Sequence, residues 1–238
     1  MRNLTAILCL TIAVLLGSVG MSASADFQKG LTAFESGDYA SALHEWEPLA
    51  EQGHARAQFI IGWMYYKGRG VPQQNKTALK WFKLAAEQGN THAQTFLGSM
   101  YGVGKGNPQD YKTALKWFKL AAKKGNRIAQ VKLGDMYAQG LGVPRDSKTA
   151  AKWFKLAAKQ GDAGAQTGLA TMYALGSGVS KDYIRAHMWA NLAARKKSKL
   201  GELGAKLRDD FEKKMTPAQI AEAEKLAREC VRNKYKGC

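Results

Sequence analysis

The amino-acid sequence predicts an all-α fold: a solenoid of about five 36-residue helical hairpins, closed by capping helices at both ends. Three observations predict it. The segment at 77–86, Thr-Ala-Leu-Lys-Trp-Phe-Lys-Leu-Ala-Ala, recurs identically at 113–122, and again at 149–158 with Ala151 in place of the leucine. Three other registers keep the same step: Gly53, Gly89, Gly125 and Gly161; Ala57, Ala93, Ala129 and Ala165; Met64, Met100, Met136 and Met172, each followed by tyrosine. Within a copy, Ala78, Trp81, Phe82, Ala85 and Ala86 are spaced i, i+3, i+4, i+7, i+8, the apolar stripe of an amphipathic helix. Self-similarity at a period of this length marks a repeat array rather than an ordinary domain.

The elements follow in chain order. Residues 1–25 combine Arg2, an apolar run at 4–19 and the small-residue pattern Ala23-Ser24-Ala25, which predicts a signal peptide cleaved after Ala25. Cys9 lies inside the apolar run and leaves with it, and no second long apolar segment follows, so no integral membrane segment is expected in the mature chain. Residues 26–37, with Phe27, Leu31 and Phe34, read as an N-terminal capping helix. Repeats are expected at 38–74, 75–110, 111–146 and 147–182, with a degenerate fifth at 183–200 and C-terminal capping helices at 201–238.

In each repeat Asp38, Asp110, Asp146 or Asp182 is placed to cap the first helix, and Gly53, Gly89, Gly125 or Gly161 to end it in a left-handed conformation. Asn90, Asn126 and Asp162 then cap the second helix, whose inner stripe is Ala93, Leu97, Met100 and Tyr101 in the second copy. Gly62, Gly98, Gly134 and Ala170 share one register, where a missing side chain should let helix backbones approach closely. Gly-rich stretches such as 102–106 and 140–144 turn the chain into the next hairpin. Pro48 should kink or shorten the first helix of repeat one, and Lys197 breaks the glycine register in the fifth copy. Thr216-Pro217 starts a last helix that should cover the exposed face of the array.

Gly89, Ala93-Gln94, Leu97-Gly98, Met100-Tyr101, Gly140-x-Gly142-Val143 and the Trp-Phe-x-x-Ala-Ala segment together resemble the Sel-one-like repeat family, relatives of tetratricopeptide repeats. The resemblance covers about residues 38–195. It implies a right-handed α/α superhelix that serves as an adaptor in protein complexes.

With 45% hydrophobic and 10% aromatic residues the chain can bury a core, and its formal net charge is +17. Removing residues 1–25 takes away Arg2 alone among charged groups, leaving +16. The outward stripe of the first helices forms three ladders: His44, Lys80, Lys116, Lys152, Met188; Glu47, Lys83, Lys119, Lys155, Asn191; and Glu51, Glu87, Lys123, Lys159, Arg195. Lys80, Lys83, Lys116, Lys119, Lys123, Lys152, Lys155 and Lys159 are therefore the candidate partner-binding residues, and like charge on neighbouring repeats favours an acidic protein or peptide, or an anionic envelope component. Nucleic acid is not expected, since the chain is exported and no aromatic is interleaved in the strip. Phe59, Thr95, Val131 and Thr167, and Ile60, Phe96, Lys132 and Gly168, break the repeat and read mostly as relaxed packing. Trp81, Trp117, Trp153 and Trp189 read as core, whereas Trp63 falls outside those registers and could be exposed.

No catalytic residue, metal ligand set or cofactor is predicted. His44, His54, His92 and His187 occupy four different registers, and Ser-x-x-Lys, Lys-Thr-Gly and Gly-x-Ser-x-Gly are missing from the mature chain. The expected function is that of an exported scaffold. The alternative is an envelope hydrolase on the same scaffold, β-lactamase-like or acting on the cell wall, since some secreted relatives carry a β-lactamase-like label. Cys230 and Cys238, the two cysteines left after cleavage, are expected to form a disulfide in an oxidising compartment.

Overall fold

Every described residue between the turns is helical. The computed structural model describes residues 26–238, so the signal-peptide segment and Cys9 lie outside the described residues. A helix at 26–35, α1, is followed by α2 (Tyr39–Glu51), α3 (Ala55–Lys67), α4 (Asn75–Glu87) and α5 (Thr91–Val103) in a first compact unit that ends at Pro108. The second unit, from Gln109, holds α6 (Tyr111–Lys123), α7 (Arg127–Gln139), α8 (Ser147–Ala158), α9 (Ala163–Leu175), α10 (Tyr183–Ala194), α11 (Lys199–Glu212) and α12 (Pro217–Arg232).

The caps explain where the helices start. Asp38, Asp110, Asp146 and Asp182 each accept from the backbone N–H three residues on, and Asn90, Asn126 and Asp162 do the same for the second helices. His54, in the register of those three, caps α3 through Nδ1. Hydrogen bonds from Thr113 and Thr149 hold the Asp110 and Asp146 carboxyls below the usual range. Pro48 does not end α2 early. The helix runs to Glu51, the same register at which α4 ends at Glu87, and Pro48 lies on the exposed side, where the carbonyl deprived of its donor meets water.

The turn between the two helices is closed from within. The carbonyls of Ala50, Ala86, Ala122 and Ala158 in the last turn of the first helices accept from Gly53, Gly89, Gly125 and Gly161 N–H. Each also accepts from the amide of a buried glutamine eight residues on: Gln58, Gln94, Gln130 and Gln166, at 2.9, 3.0, 3.3 and 3.2 Å. Both lone pairs of an otherwise orphaned helix-end carbonyl are thus used. Gln58 and Gln130 are further held by Gln88 and Gln160, each at 2.8 Å, whereas the Oε1 atoms of Gln94 and Gln166 have no partner among the described residues.

The glycine register on the second helices seats a ring. A Cβ on Gly62 would lie 2.8 Å from the Phe82 ring, and one on Gly134 would lie 2.6 Å from that of Phe154. It is therefore a phenyl ring of the following hairpin, not its backbone, that needs the missing side chain. The fourth copy holds Ala170 and Ala190 in these two registers, both fully buried: one residue is larger and the other smaller. Phe82, Phe118 and Phe154 are the buried rings, while Trp81, Trp117 and Trp153 beside them are only half-buried, and of that register Trp189 alone is fully enclosed. Trp63 is not exposed. It is half-buried against the first-unit core, edge-on to Phe34 at 5.7 Å.

Loops close on the helix starts. Gly142, at φ +71°, lies so near the backbone of Tyr111 that a Cβ would come within 2.7 Å. Gly70, Gly106 and Gly178 stand in the same relation to Tyr39, Asn75 and Ser147. At the C-terminus Phe211 of α11 and Ala227 and Cys230 of α12 complete the second-unit core, and His187, fully buried on α10, bonds Glu212 of α11 at 2.9 Å.

Two predictions follow from this packing. Gln130→Met should cost about 2 kcal/mol and Gln166→Met about 1 kcal/mol, because Gln130 loses two partners and Gln166 one. Urea midpoints that rank them in the reverse order would contradict this account of the turn. Gly134→Ala should cost about 1–3 kcal/mol alone but under about 0.5 kcal/mol in a Phe154→Ala background, where the clashing ring is gone; additive costs in the double variant would remove the ring from the explanation.

Candidate functional site

The candidate lysines divide between the two units. In the first, Lys80 and Lys83 of α4 are exposed, and Lys83 lies 3.9 Å from Glu87. In the second, Lys116 and Lys123 of α6 and Lys152 and Lys155 of α8 are exposed, whereas Lys119 and Lys159 are half-buried. The Lys119 ammonium stands 5.7 Å above the Tyr137 ring of α7, a cation–π contact that fixes its direction. Partial desolvation by its surroundings, then repulsion from Lys159 and Arg185, holds the ammonium of the otherwise exposed Lys155 below its usual range.

An apolar ladder accompanies them. Leu84, Leu120 and Leu156 occupy one register and are 45%, 46% and 47% exposed. Each follows a lysine directly (Lys83, Lys119, Lys155) and comes four residues after another (Lys80, Lys116, Lys152), so lysine and leucine share one helix face. Sequence reasoning missed these leucines because residue type alone assigns leucine to the core. Their signal was positional: each sits four residues after a lysine, away from the Ala-Phe-Ala stripe.

The outward stripe does not continue into the last copy. Met188, the α10 member of the first ladder, is buried, and Leu192, in the register of the exposed leucines, is fully buried. The cause is α12, which packs along α10 and covers that face. Cys230 at the end of α12 and Cys238 near it have Cα atoms 5.6 Å apart and sulfurs at bonding distance.

The positions that break the repeat behave differently from one another. Phe59, Ile60 and Phe96 join Leu31, Phe34, Trp46 and Trp63 around a wholly apolar hollow of about 310 Å³ in the first unit, with Phe96 stacked on Phe82 at 5.2 Å. Phe59 and Phe96 belong to an aromatic cluster and Ile60 packs beside it, which is more than the relaxed packing expected of them. Thr95 and Thr167 are buried and donate their hydroxyls to the carbonyls of Thr91 and Ala163.

The four histidines have separate surroundings. His54 caps a helix, His187 pairs with Glu212, His92 lies 5.7 Å from the Phe59 ring, and His44 is exposed. Among the described residues no group of three His, Cys, Asp or Glu side chains is placed to hold a metal ion, and no helix is long and apolar enough to cross a membrane.

Stacked hairpins with buried small residues inside and long side chains displayed outside define a helical-repeat scaffold, a class that works through its surface. The particular family is equally plain: the chain belongs to the Sel1 repeat family, whose repeat matches residues 55–90, 91–126, 127–162 and 163–198, more than half of the sequence. Proteins of this family are typically protein-interaction scaffolds and are generally not catalytic. Each matched block begins at the second helix of a hairpin, half a repeat away from a count started at residue 38.

Among solved structures the chain is similar to a protective antigen present in uropathogenic Escherichia coli strains that displays an SLR fold. Identity is 34% and the TM-score 0.79 over 90% of this chain and 47% of the antigen, so the chain spans about half the antigen's length. It is also similar to a Sel1 repeat protein from Oxalobacter formigenes, 29% identical with a TM-score of 0.73, over 87% of this chain and 85% of that one. No protein of curated function matches the chain.

Proposed function

We propose that the chain is exported and acts as a scaffold, holding an acidic partner protein or peptide on the outward faces of α6 and α8 in the second unit; α4 of the first unit presents the same pattern of residues. The observation that carries this reading is the exposed Leu84, Leu120 and Leu156 set among lysines. A purely solvated face has no use for a leucine left nearly half-exposed at the same position of three successive first helices. Lysine supplies attraction and steering toward negative charge; leucine supplies apolar area that gains only when a partner covers it. A purely polar anionic polymer would engage the lysines and leave the leucines wet, whereas an acidic polypeptide with apolar side chains fits both parts.

Export rests on the segment at 1–25. The mature protein recovered from the cell envelope should begin at Asp26 and should yield no alkylatable thiol until reductant is added, Cys230 and Cys238 being bridged. A retained Met1, or two thiols labelled in the native sample, would overturn the corresponding part.

Affinity capture from an envelope fraction tests the docking faces. Lys116→Glu, Lys119→Glu and Lys152→Glu together should weaken capture of the partner by at least about tenfold at low salt and flatten its salt dependence. Leu120→Ser with Leu156→Ser should weaken it by about fivefold while leaving the salt dependence intact. An unchanged set of captured proteins in both variants would sink the proposal.

A further inference from the structure

The outward face of the first repeat reverses the charge of the others. On α2, Ala40, His44, Glu47, Pro48 and Glu51 share one helix face, and all five are exposed. Glu47 stands in the register of Lys119 and Lys155, Glu51 in that of Lys123 and Lys159, and Pro48 in that of Leu120 and Leu156. No lysine or arginine lies on α2, and among the described residues Glu45, Glu47 and Glu51 make no ion pair. On α4, by contrast, Glu87 remains in the third register, 3.9 Å from Lys83. The fully basic faces are therefore those of α6 and α8.

This reversal belongs to a wider asymmetry. Residues 26–52 hold six acids against one base, Lys29, a net charge of −5, whereas residues 53–238 carry +21. A chain so divided attracts another copy of itself when acidic end meets basic face. The two faces also match in relief. Leu120 and Leu156 project among Lys116, Lys123, Lys152 and Lys155, all exposed. Opposite them α2 would present short side chains, Ala40 and Pro48, which let a leucine lie flat against the helix. Glu47 and Glu51 are about 6 Å apart along the axis, the same step that separates Lys119 from Lys123 and Lys155 from Lys159. Exposed ion pairs contribute little one by one. The covered leucines would supply most of the affinity, and the charges the orientation.

We propose, resting on the scaffold reading above, that the lysine and leucine face of α6 and α8 receives α2 of a second copy of this chain, so that copies join head to tail. The contact is heterologous: the copy that offers α2 keeps its own α6 and α8 face free, so growth does not stop at two. Repulsion between the basic remainders is screened beyond about 8 Å at 0.15 M salt, whereas the paired groups of the two faces lie closer than that.

Sedimentation velocity on the mature chain tests this, from about 5 µM to about 0.5 mM at 0.15 M salt. The average mass should climb with concentration past that of a dimer, and return to that of a monomer in 1 M salt. Glu47→Lys with Glu51→Lys should weaken self-association by at least about tenfold, as should Lys116→Glu, Lys119→Glu and Lys152→Glu together. Both glutamates are exposed, so the helical circular dichroism should not change. An equimolar mixture of the two variants should associate again, because one retains the basic face and the other the acidic end. A wild-type chain that stays monomeric at the highest concentration, a Glu47→Lys, Glu51→Lys variant that associates like the wild type, or a mixture with no heavier species would overturn the proposal. Glu47 and Glu51 lie outside the lysine and leucine face, so the two readings fail separately. A monomeric wild type whose capture of envelope proteins still needs those lysines removes the second copy and keeps the scaffold; self-association with no captured protein keeps the second copy and removes a foreign partner.

Discussion

A single buried hydrogen bond, from a glutamine amide to an alanine carbonyl eight residues earlier, governs how each hairpin turns. The last turn of a helix leaves carbonyls without intrahelical donors, and a carbonyl buried that way costs stability unless something pairs it. Here the next helix supplies the donor from its own first turn, so the exit of one helix and the entry of the next are tied at one atom. The glycine between them donates to the same oxygen, and its left-handed conformation turns the following N–H (His54, Asn90, Asn126, Asp162) onto the carbonyl one residue earlier. Alanine is required at the acceptor's position because these residues are nearly or wholly excluded from solvent and the amide must reach past them. Three of the repeated residues, Ala, Gly and Gln, therefore have one common cause.

Once that turn is set, packing between hairpins is a problem of volume. Phe82 and Phe154 need a gap in the facing helix, and Gly62 and Gly134 provide it. Ala170 and Ala190 solve the same problem with the volume shared evenly. Close-packed interiors tolerate such exchanges when total volume is kept, and resist a change on one side only. Repeats can thus diverge in sequence while keeping the same step, provided that paired registers change together.

Local chemistry was legible in the sequence; partners across space were not. Asp38, Asp110, Asp146 and Asp182 act as caps on backbone groups three residues away, so spacing alone identifies them. Gly62 was recognisable as a close-approach position, but whether a backbone or a ring approaches depends on a residue twenty positions on, in another helix. Trp81, Trp117 and Trp153 share the apolar stripe with phenylalanine, and period alone does not say which of two adjacent rings turns inward. The lysine positions could be read from the stripe, yet Lys119 and Lys159 are half-buried, Lys119 with its ammonium over the Tyr137 ring of α7. Leu84, Leu120 and Leu156 went unnoticed for the opposite reason: their type suggested burial and only the fold exposes them.

The end of the array is where repetition stops and a concavity opens. A first helix in the interior of the second unit shows lysine and leucine on its outward side, whereas α10, with α12 packed along it, carries Met188 and Leu192 there. Covering an outward face normally removes it from use. Here the cover is incomplete, because α12 ends at Arg232 and the chain then reverses through Lys234 and Tyr235 instead of continuing along α10. The gap it leaves is bounded by an apolar helix face on the inside and by Lys155 and Arg185, which belong to the uncovered surface, on the outside. A capping helix that continued along α10 would have left no concavity beside Met188 and Leu226. The reversal at the tail is thus what leaves a concavity where a cap that ran on along α10 would have closed the array.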